Sequence, residues 1–367
     1  MRKHWMDNLR WVTVLLVLLY HVVYFYNNKG VFGGIGGFGP YPECPQYQDA
    51  VMYFLYPWFM PMLFLLAGIS ARYALQKYPA REWFRARTRK LLVPGTIGLF
   101  VFHWMVGYFN TVVAEREGVF DGIPAVAKYV VMAVSGTGPL WFVQVLWLLS
   151  LVLLAVRALD RRDRLYNWWG KANIVWIILL GVLFWAGEQT LVKHPRPESL
   201  DGLLNLYKPV FYLIPFLMGY FVFSHEGVQQ KVRQAWIPLM ACALVSGGIL
   251  IVTTFGQDNT SPQYLGSPLN CLYGWLMCLA MMGWFQAEFD RTGPFAAYMT
   301  RSSYGIYIVH YLVIASLGYQ MKTYTQLPPA AMYLILAVAV FTLSPLLNEI
   351  LRRIPVIRWC VLGEKAR

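Results

Sequence analysis

"MDNLRWVTVLLVLLYHVVYFYNN", residues 6–28, is a run of Leu, Val and aromatic side chains that nonetheless holds Arg10 near one end and His21 well inside. About 20 apolar residues are enough to cross the roughly 30 Å hydrocarbon layer as a helix. The run is too long for a signal-peptide core and ends in Tyr, Phe and Asn with no small-residue cleavage site, so a retained first helix is expected.

The rest of the chain repeats this pattern. Of its 367 residues 58% are hydrophobic and only 13% charged, with a mean hydropathy of +0.46. A soluble domain carries about 25% charge. The composition therefore predicts an all-α, polytopic membrane bundle forming one domain over residues 1–367. Apolar windows place ten helices at 10–27, 51–71, 91–111, 139–157, 172–188, 206–223, 236–255, 268–286, 301–319 and 329–350, with an interfacial segment at 123–135.

Charge orients these helices. With the N-terminus in the cytoplasm, 24 of the 31 Lys and Arg residues fall on the inner side, seven of them in an expected loop at 72–90. Both termini are then cytoplasmic, and a bacterial cytoplasmic membrane is the expected location. The formal net charge of +13 lies in short loops beside apolar helices, which suits anionic lipid and argues against nucleic acid as a partner. Cys44, Cys242, Cys271, Cys278 and Cys360 have no metal-ligand spacing and are expected to be packing residues, so no metal is implied. Gly34, Gly36 and Gly39 match GxGxxG, but they follow a membrane helix where a nucleotide site needs a strand, so they predict only a loop.

The polar residues inside the apolar runs carry the functional signal. Arg10 and His21 are eleven residues apart, and eleven steps of about 100° return to nearly the same direction, so they share a helix face, as does Asp7. The rise puts His21 about 16 Å beyond Arg10. That depth is close to the bilayer centre, where a polar group must face protein or a wet cavity. His103 and His310 fall at similar depth in the third and ninth helices. A second cluster, "REWFRARTRKLLVPG" at 81–95, gathers Arg81, Arg85, Arg87, Arg89 and Lys90 at the inner end of the third helix. Five cations in ten residues suit a ligand with several phosphates, such as coenzyme A.

At these residues the chain resembles the membrane acyltransferase family 3. "RWVTVLLVLLYH" reproduces the family's Arg, ten residues, then His, from Arg10 to His21. "RTRKLLVP" looks like its Arg-x-x-Arg before a Leu-Leu-Ile-Pro-like helix start, with Arg87 and Lys90 in the two positions; Lys90 keeps the charge but not the bidentate fork, and Arg89 lies beside it. "GPLWFVQVLW" from Gly138, with Trp141, and "SSYGIYIVHYLVI" from Ser302, with Tyr304 and His310, are similar to further family segments. The chain's length matches the form without an appended esterase-like domain.

The resemblance implies an O-acyltransferase that moves an acyl group, acetyl above all, from cytoplasmic acyl-CoA to a hydroxyl of a sugar-containing acceptor. The carried-over residues allow His21 to be the general base, a task that suits an imidazole near neutral pH. Arg10 and Asp7 would hold the helix and the donor entrance, and Arg87 and Lys90, with Arg89 and Arg85, the CoA phosphates. His310, His103, Trp141, Tyr304 and Glu188, with Tyr41, Tyr47 and Trp58, are candidates to contact the acceptor. The alternative reading is a secondary transporter with two inverted halves. The broken-helix pattern does not correspond between halves: the sixth window holds Pro209, Pro215 and Gly219, whereas the first has neither Gly nor Pro between Arg10 and Asn28.

Overall fold

Proline decides where many of the helices start, because its fixed φ suits the first helical turn and its missing N–H is not needed there. In the computed structural model, which describes residues 3–27, 35, 37, 46–113, 120–191 and 208–365, every regular element is a helix. In order these are α1 His4–Phe25, α2 Ala50–Lys77, α3 Ala80–Val113, α4 Ala125–Ser135, α5 Trp141–Leu159, α6 Arg164–Trp169, α7 Ile174–Leu191 and α8 Pro209–Phe221. There follow α9 Glu226–Gln234, α10 Trp236–Thr254, α11 Pro262–Leu265, α12 Pro268–Glu288, α13 Pro294–Tyr324, α14 Pro329–Arg353 and α15 Pro355–Leu362. Gly34, Gly36, Gly39, Tyr41 and Cys44 lie outside the described residues.

A helix stands at each of the ten expected windows. Six helical stretches are long and apolar enough to cross a membrane: those of α1, α2, α3, α5, α10 and α14. Of the rest, α7 and α8 are shorter apolar helices. α12 and α13 have the length, at 21 and 31 residues, but carry more polar side chains. α4 has 11 residues, about 16 Å of helix, half the hydrocarbon thickness. The apolar rows of α10 (Ile237, Leu244, Val245, Val252) and α14 (Leu334, Ile335, Val338, Leu346) are exposed, as surfaces that meet lipid rather than water would be.

Two boundaries differ from the sequence reading for identifiable reasons. The expected loop at 72–90 is helical except at Tyr78 and Pro79, so the basic cluster lies on the first turns of α3; its Ala, Arg and Glu residues are strong helix formers. α13 starts at Pro294, seven residues before the expected position, because Pro294 begins the helix and the polar Arg301–Ser303 stretch continues it.

The chain folds as two compact units, and every division between them falls inside a helix: α1, α2, α3, α5 and α13. The first unit (1–13, 53–84, 148–300) is organised around α12, most of whose residues from Asn270 to Gln286 are buried. Trp275 donates its indole N–H to the Ile177 and Ile178 carbonyls at 3.2 and 3.1 Å. Gly274 meets the Pro57 carbonyl, an acceptor without its usual helical partner because Pro61, four residues on, has no N–H. α2 and α8 touch backbone to backbone at Gly68 and Gly219: a Cβ on either would strike the Phe216 or Leu65 carbonyl.

The second unit (14–52, 85–147, 301–367) is built on α13. Tyr26 donates to the Gly318 carbonyl at 2.9 Å, Tyr304 to that of Lys90 and Tyr307 to that of Pro139. Gly305 admits the Asn348 amide, and Gly318 the Phe25 ring.

Close approach at small residues is how membrane helices gain packing. Gly68→Leu is therefore expected to cost about 3 kcal/mol or more through overpacking, read as a clear fall in thermal midpoint in detergent. Gly248→Ala, where nothing lies within 4 Å of the added methyl, should leave the midpoint unchanged or raise it.

Candidate active site

His21 is half buried on α1, and His310 is fully buried on α13. The two rings meet: His310 Nε2 is 3.2 Å from His21 Nδ1, with centroids 5.1 Å apart. Each Nδ1 also faces a backbone carbonyl, His21 that of Val17 at 2.9 Å and His310 that of Tyr307 at 2.5 Å. A carbonyl only accepts, so the network assigns each ring its proton on Nδ1. In the neutral pair, His310 Nε2 is then the acceptor turned toward His21 Nδ1–H. His21 Nε2 is left with its lone pair, and no described residue donates to it. Tyr20, Tyr24 and Tyr311 present ring edges to the His21 imidazole at 5.4, 6.1 and 5.4 Å between centroids.

The arrangement has a chemical consequence. A proton accepted at Nε2 converts His21 to an imidazolium whose Nδ1–H already has two acceptors, Val17 O and His310 Nε2. The contact orients the His21 ring with Nδ1 toward Val17 and His310 and Nε2 away from them.

The remaining candidates sort into separate groups. His103 lies on α3 in a π-helical turn, Leu99–His103; it is 1% exposed and neither ring nitrogen has a hydrogen bond among the described residues. Trp141 starts α5, edge-on to Phe142, which in turn meets the Tyr307 ring at 5.8 Å. In the first unit, Arg10 Nη1 pairs with Asp7 at 3.1 Å and Nη2 donates to Ser70 Oγ at 2.8 Å. Glu188, also in that unit, is buried against Lys208 at 3.8 Å.

The cation cluster is shaped by a second π turn, Thr88–Leu92. Pro94 cannot donate to the Lys90 carbonyl four residues earlier, and its ring crowds that carbonyl. The carbonyl instead accepts the Tyr304 hydroxyl, while the Lys90 ammonium lies 4.3 Å from the centre of the Tyr304 ring. Lys90 Nζ donates to Leu362 O at 3.2 Å and pairs with Glu364 at 3.4 Å; Arg89 Nε donates to Gly363 O at 3.4 Å. Arg87 is half buried on the same stretch, and Arg85 is exposed. Burial acts to raise the Glu364 carboxyl pKa, but the charges of Lys90 and Arg352 outweigh it and hold it below the ordinary value. Sequence reasoning missed Ser70, Arg352 and Glu364. The first is an ordinary helical serine, the second reads as topology charge, and only an acid set in a basic tail marked the third.

Among the described residues no group of three or more His, Cys, Asp or Glu could hold a metal ion, and Cys242, Cys271, Cys278 and Cys360 are free thiols.

Comparison with known proteins covers nearly the whole chain. The family model for an acyltransferase domain of the acyltransferase-3 type matches residues 3–349. The glucans biosynthesis protein C of Salmonella typhimurium (strain LT2) and that of Salmonella typhi are each 19% identical over 386 residues, covering 99% of this chain and 95% of theirs. The same protein of Salmonella schwarzengrund is 19% identical over 384 residues with equal coverage. No solved structure matches. The Arg10-to-His21 helix, the cation turn of α3 and the α13 segment thus lie within a matched acyltransferase domain, and the chain belongs to the acyltransferase-3 family of multi-pass membrane proteins.

Proposed function

We propose that the protein is an acyl-CoA-dependent O-acyltransferase, with His21 as general base and a carbohydrate hydroxyl as acceptor. The observation that carries this reading is the His21–His310 contact, which leaves a lone pair at His21 Nε2 and two acceptors behind the ring. The name of the Salmonella relatives, glucans biosynthesis, supports a carbohydrate acceptor.

In the reaction, His21 Nε2 takes the proton of the acceptor hydroxyl as its oxygen attacks the thioester carbonyl. A C–O bond forms and the carbonyl electrons move to oxygen. Collapse breaks the C–S bond, and the departing thiolate takes the proton back from the His21 imidazolium, giving ester and free CoA thiol. His310 touches neither substrate and acts as a positioning residue for His21. Lys90 and Arg87, with Arg89 and Arg85, bind the donor phosphates. Tyr304 belongs with them, since its ring and hydroxyl fix Lys90. Arg10, tied to Asp7 and Ser70, lies on the same continuous helix that carries His21, and the rise of about 16 Å between them is comparable with the reach of a pantetheine arm. Glu188, His103 and Trp141 are assigned to the acceptor side. The chain works as a single membrane domain, a reading supported by unit divisions that all fall inside helices.

The topology proposed is ten crossings with both termini cytoplasmic, in a bacterial cytoplasmic membrane. Single cysteines at Gln257 and Thr325 in a Cys-free background should react with an impermeant maleimide added outside cells, and one at Arg162 should not. Labelling at Arg162 would reverse the orientation.

His21→Ala should lower transfer by on the order of 10² or more, the scale of a general base, with thermal midpoint and CoA binding near wild type. More than about a tenth of wild-type turnover would be too much for the role. His310→Leu should reduce kcat by on the order of tenfold, as loss of a partner behind a functional histidine does, leaving donor KM unchanged. His310→Gln, whose side-chain carbonyl can accept from His21 Nδ1–H, should recover part of the rate. Equal rates for the Leu and Gln variants would make His310 a packing residue only.

A further inference from the structure

Three groups converge on the Lys90 ammonium, the Tyr304 ring of α13, the Leu362 carbonyl of α15 and Glu364 beyond it, and the last brings an anion. Beyond α15 the chain turns at Gly363, whose φ of +61° suits glycine, and a Cβ there would strike the Arg89 carbonyl. The turn lays Glu364 over the cation cluster. Its Oε1 is 3.4 Å from Lys90 Nζ and 3.2 Å from Arg352 Nη2, and its Oε2 is 3.1 Å from Arg352 Nε. This is a two-pronged guanidinium grip with an ammonium beside it, the geometry with which Arg and Lys together hold a phosphate. Arg352 Nη1 reaches Ser302 Oγ at 3.5 Å and Glu349 at 3.6 Å.

We propose that Arg352 of α14 is a donor-phosphate-binding residue, and that the Glu364 carboxylate occupies the position of one donor phosphate and is displaced when the donor binds. The inference rests on the reading that Lys90 binds the donor. Three features carry it. Among the described residues the carboxylate is bonded only to cations that a phosphate would also seek. The side chains of Lys90 and Glu364 keep 37% and 24% exposure, so the part-buried pair is still reachable from solvent. Removing Glu364 from the grip leaves Arg89, Lys90 and Arg352 facing the same space with Glu349 as the acid beside them, a site with spare positive charge. Glu364 thus keeps that charge partnered while the donor is absent, and sets a threshold for donor binding.

The test is titration of purified full-length protein with CoA, which binds without turning over, by calorimetry. Glu364→Gln removes the internal anion and should tighten CoA about fivefold, the effect of releasing a site held partly closed by an internal ion pair. Arg352→Gln should weaken CoA about tenfold, Arg352→Lys should weaken it less, and Lys90→Ala should weaken it about tenfold. Matching thermal midpoints establish that the variants are folded. If one phosphate of CoA accounts for the displacement, dephospho-CoA identifies it: a gain on Glu364→Gln with CoA alone assigns the 3′-phosphate, and an equal gain with both assigns the pyrophosphate. Unchanged CoA affinity in Lys90→Ala would remove the donor-site reading and this inference with it. Weakened binding in Lys90→Ala with wild-type affinity in both Arg352→Gln and Glu364→Gln would overturn this inference alone. Weaker binding in Glu364→Gln would likewise overturn the displacement.

Discussion

A backbone carbonyl can only accept a hydrogen bond, and inside an apolar bundle each such group must find its donor within the protein. That constraint organises the second unit. The carbonyls of Val17 and Tyr307 fix the tautomers of His21 and His310; that of Lys90, freed by Pro94, takes the Tyr304 hydroxyl; that of Gly95 takes the Gln144 amide at 2.8 Å. The polar side chains of this unit are thus oriented by helical main chain, and the proposed base is held by the Val17 carbonyl in the same way.

The same constraint accounts for the first of the two π turns of α3. Thr88–Leu92 precedes Pro94, where the regular ladder is interrupted, and Leu99–His103 ends beside Gly136, whose Cβ position is taken by the His103 carbonyl. Such turns occur often at functional sites because they redirect side chains. Here one turn carries Arg89 and Lys90 and the other His103, three of the residues that stand out in the sequence by their position.

Much of the architecture is legible from local signals, since length and apolarity place a helix at every expected window, and His21 stands out as an ionisable side chain deep in an apolar run. What the sequence does not reveal is pairing. His310 lies 289 residues from His21, and Arg352 lies 262 from Lys90; no periodicity connects them, and each alone reads as a packing histidine or a topology charge. Ser70 is hidden for the same reason. The start of α13 at Pro294 is obscured by Arg301, Ser302 and Ser303, which look like a helix boundary but lie inside the helix, with Arg301 exposed and the Ser302 hydroxyl bonded to Glu349.

The chemistry proposed for the site depends on the protonation of one ring nitrogen. Nitrogen-15 NMR of histidine-labelled protein in lipid nanodiscs, with the His21 signals assigned by their loss in His21→Gln, reads that directly. The expected result is a neutral His21 with its proton on Nδ1 and a bare Nε2, coupled to His310 so that His310→Leu moves the Nδ1 resonance. A neutral His21 with its proton on Nε2, or one indifferent to His310, would contradict a base held and backed by this pair.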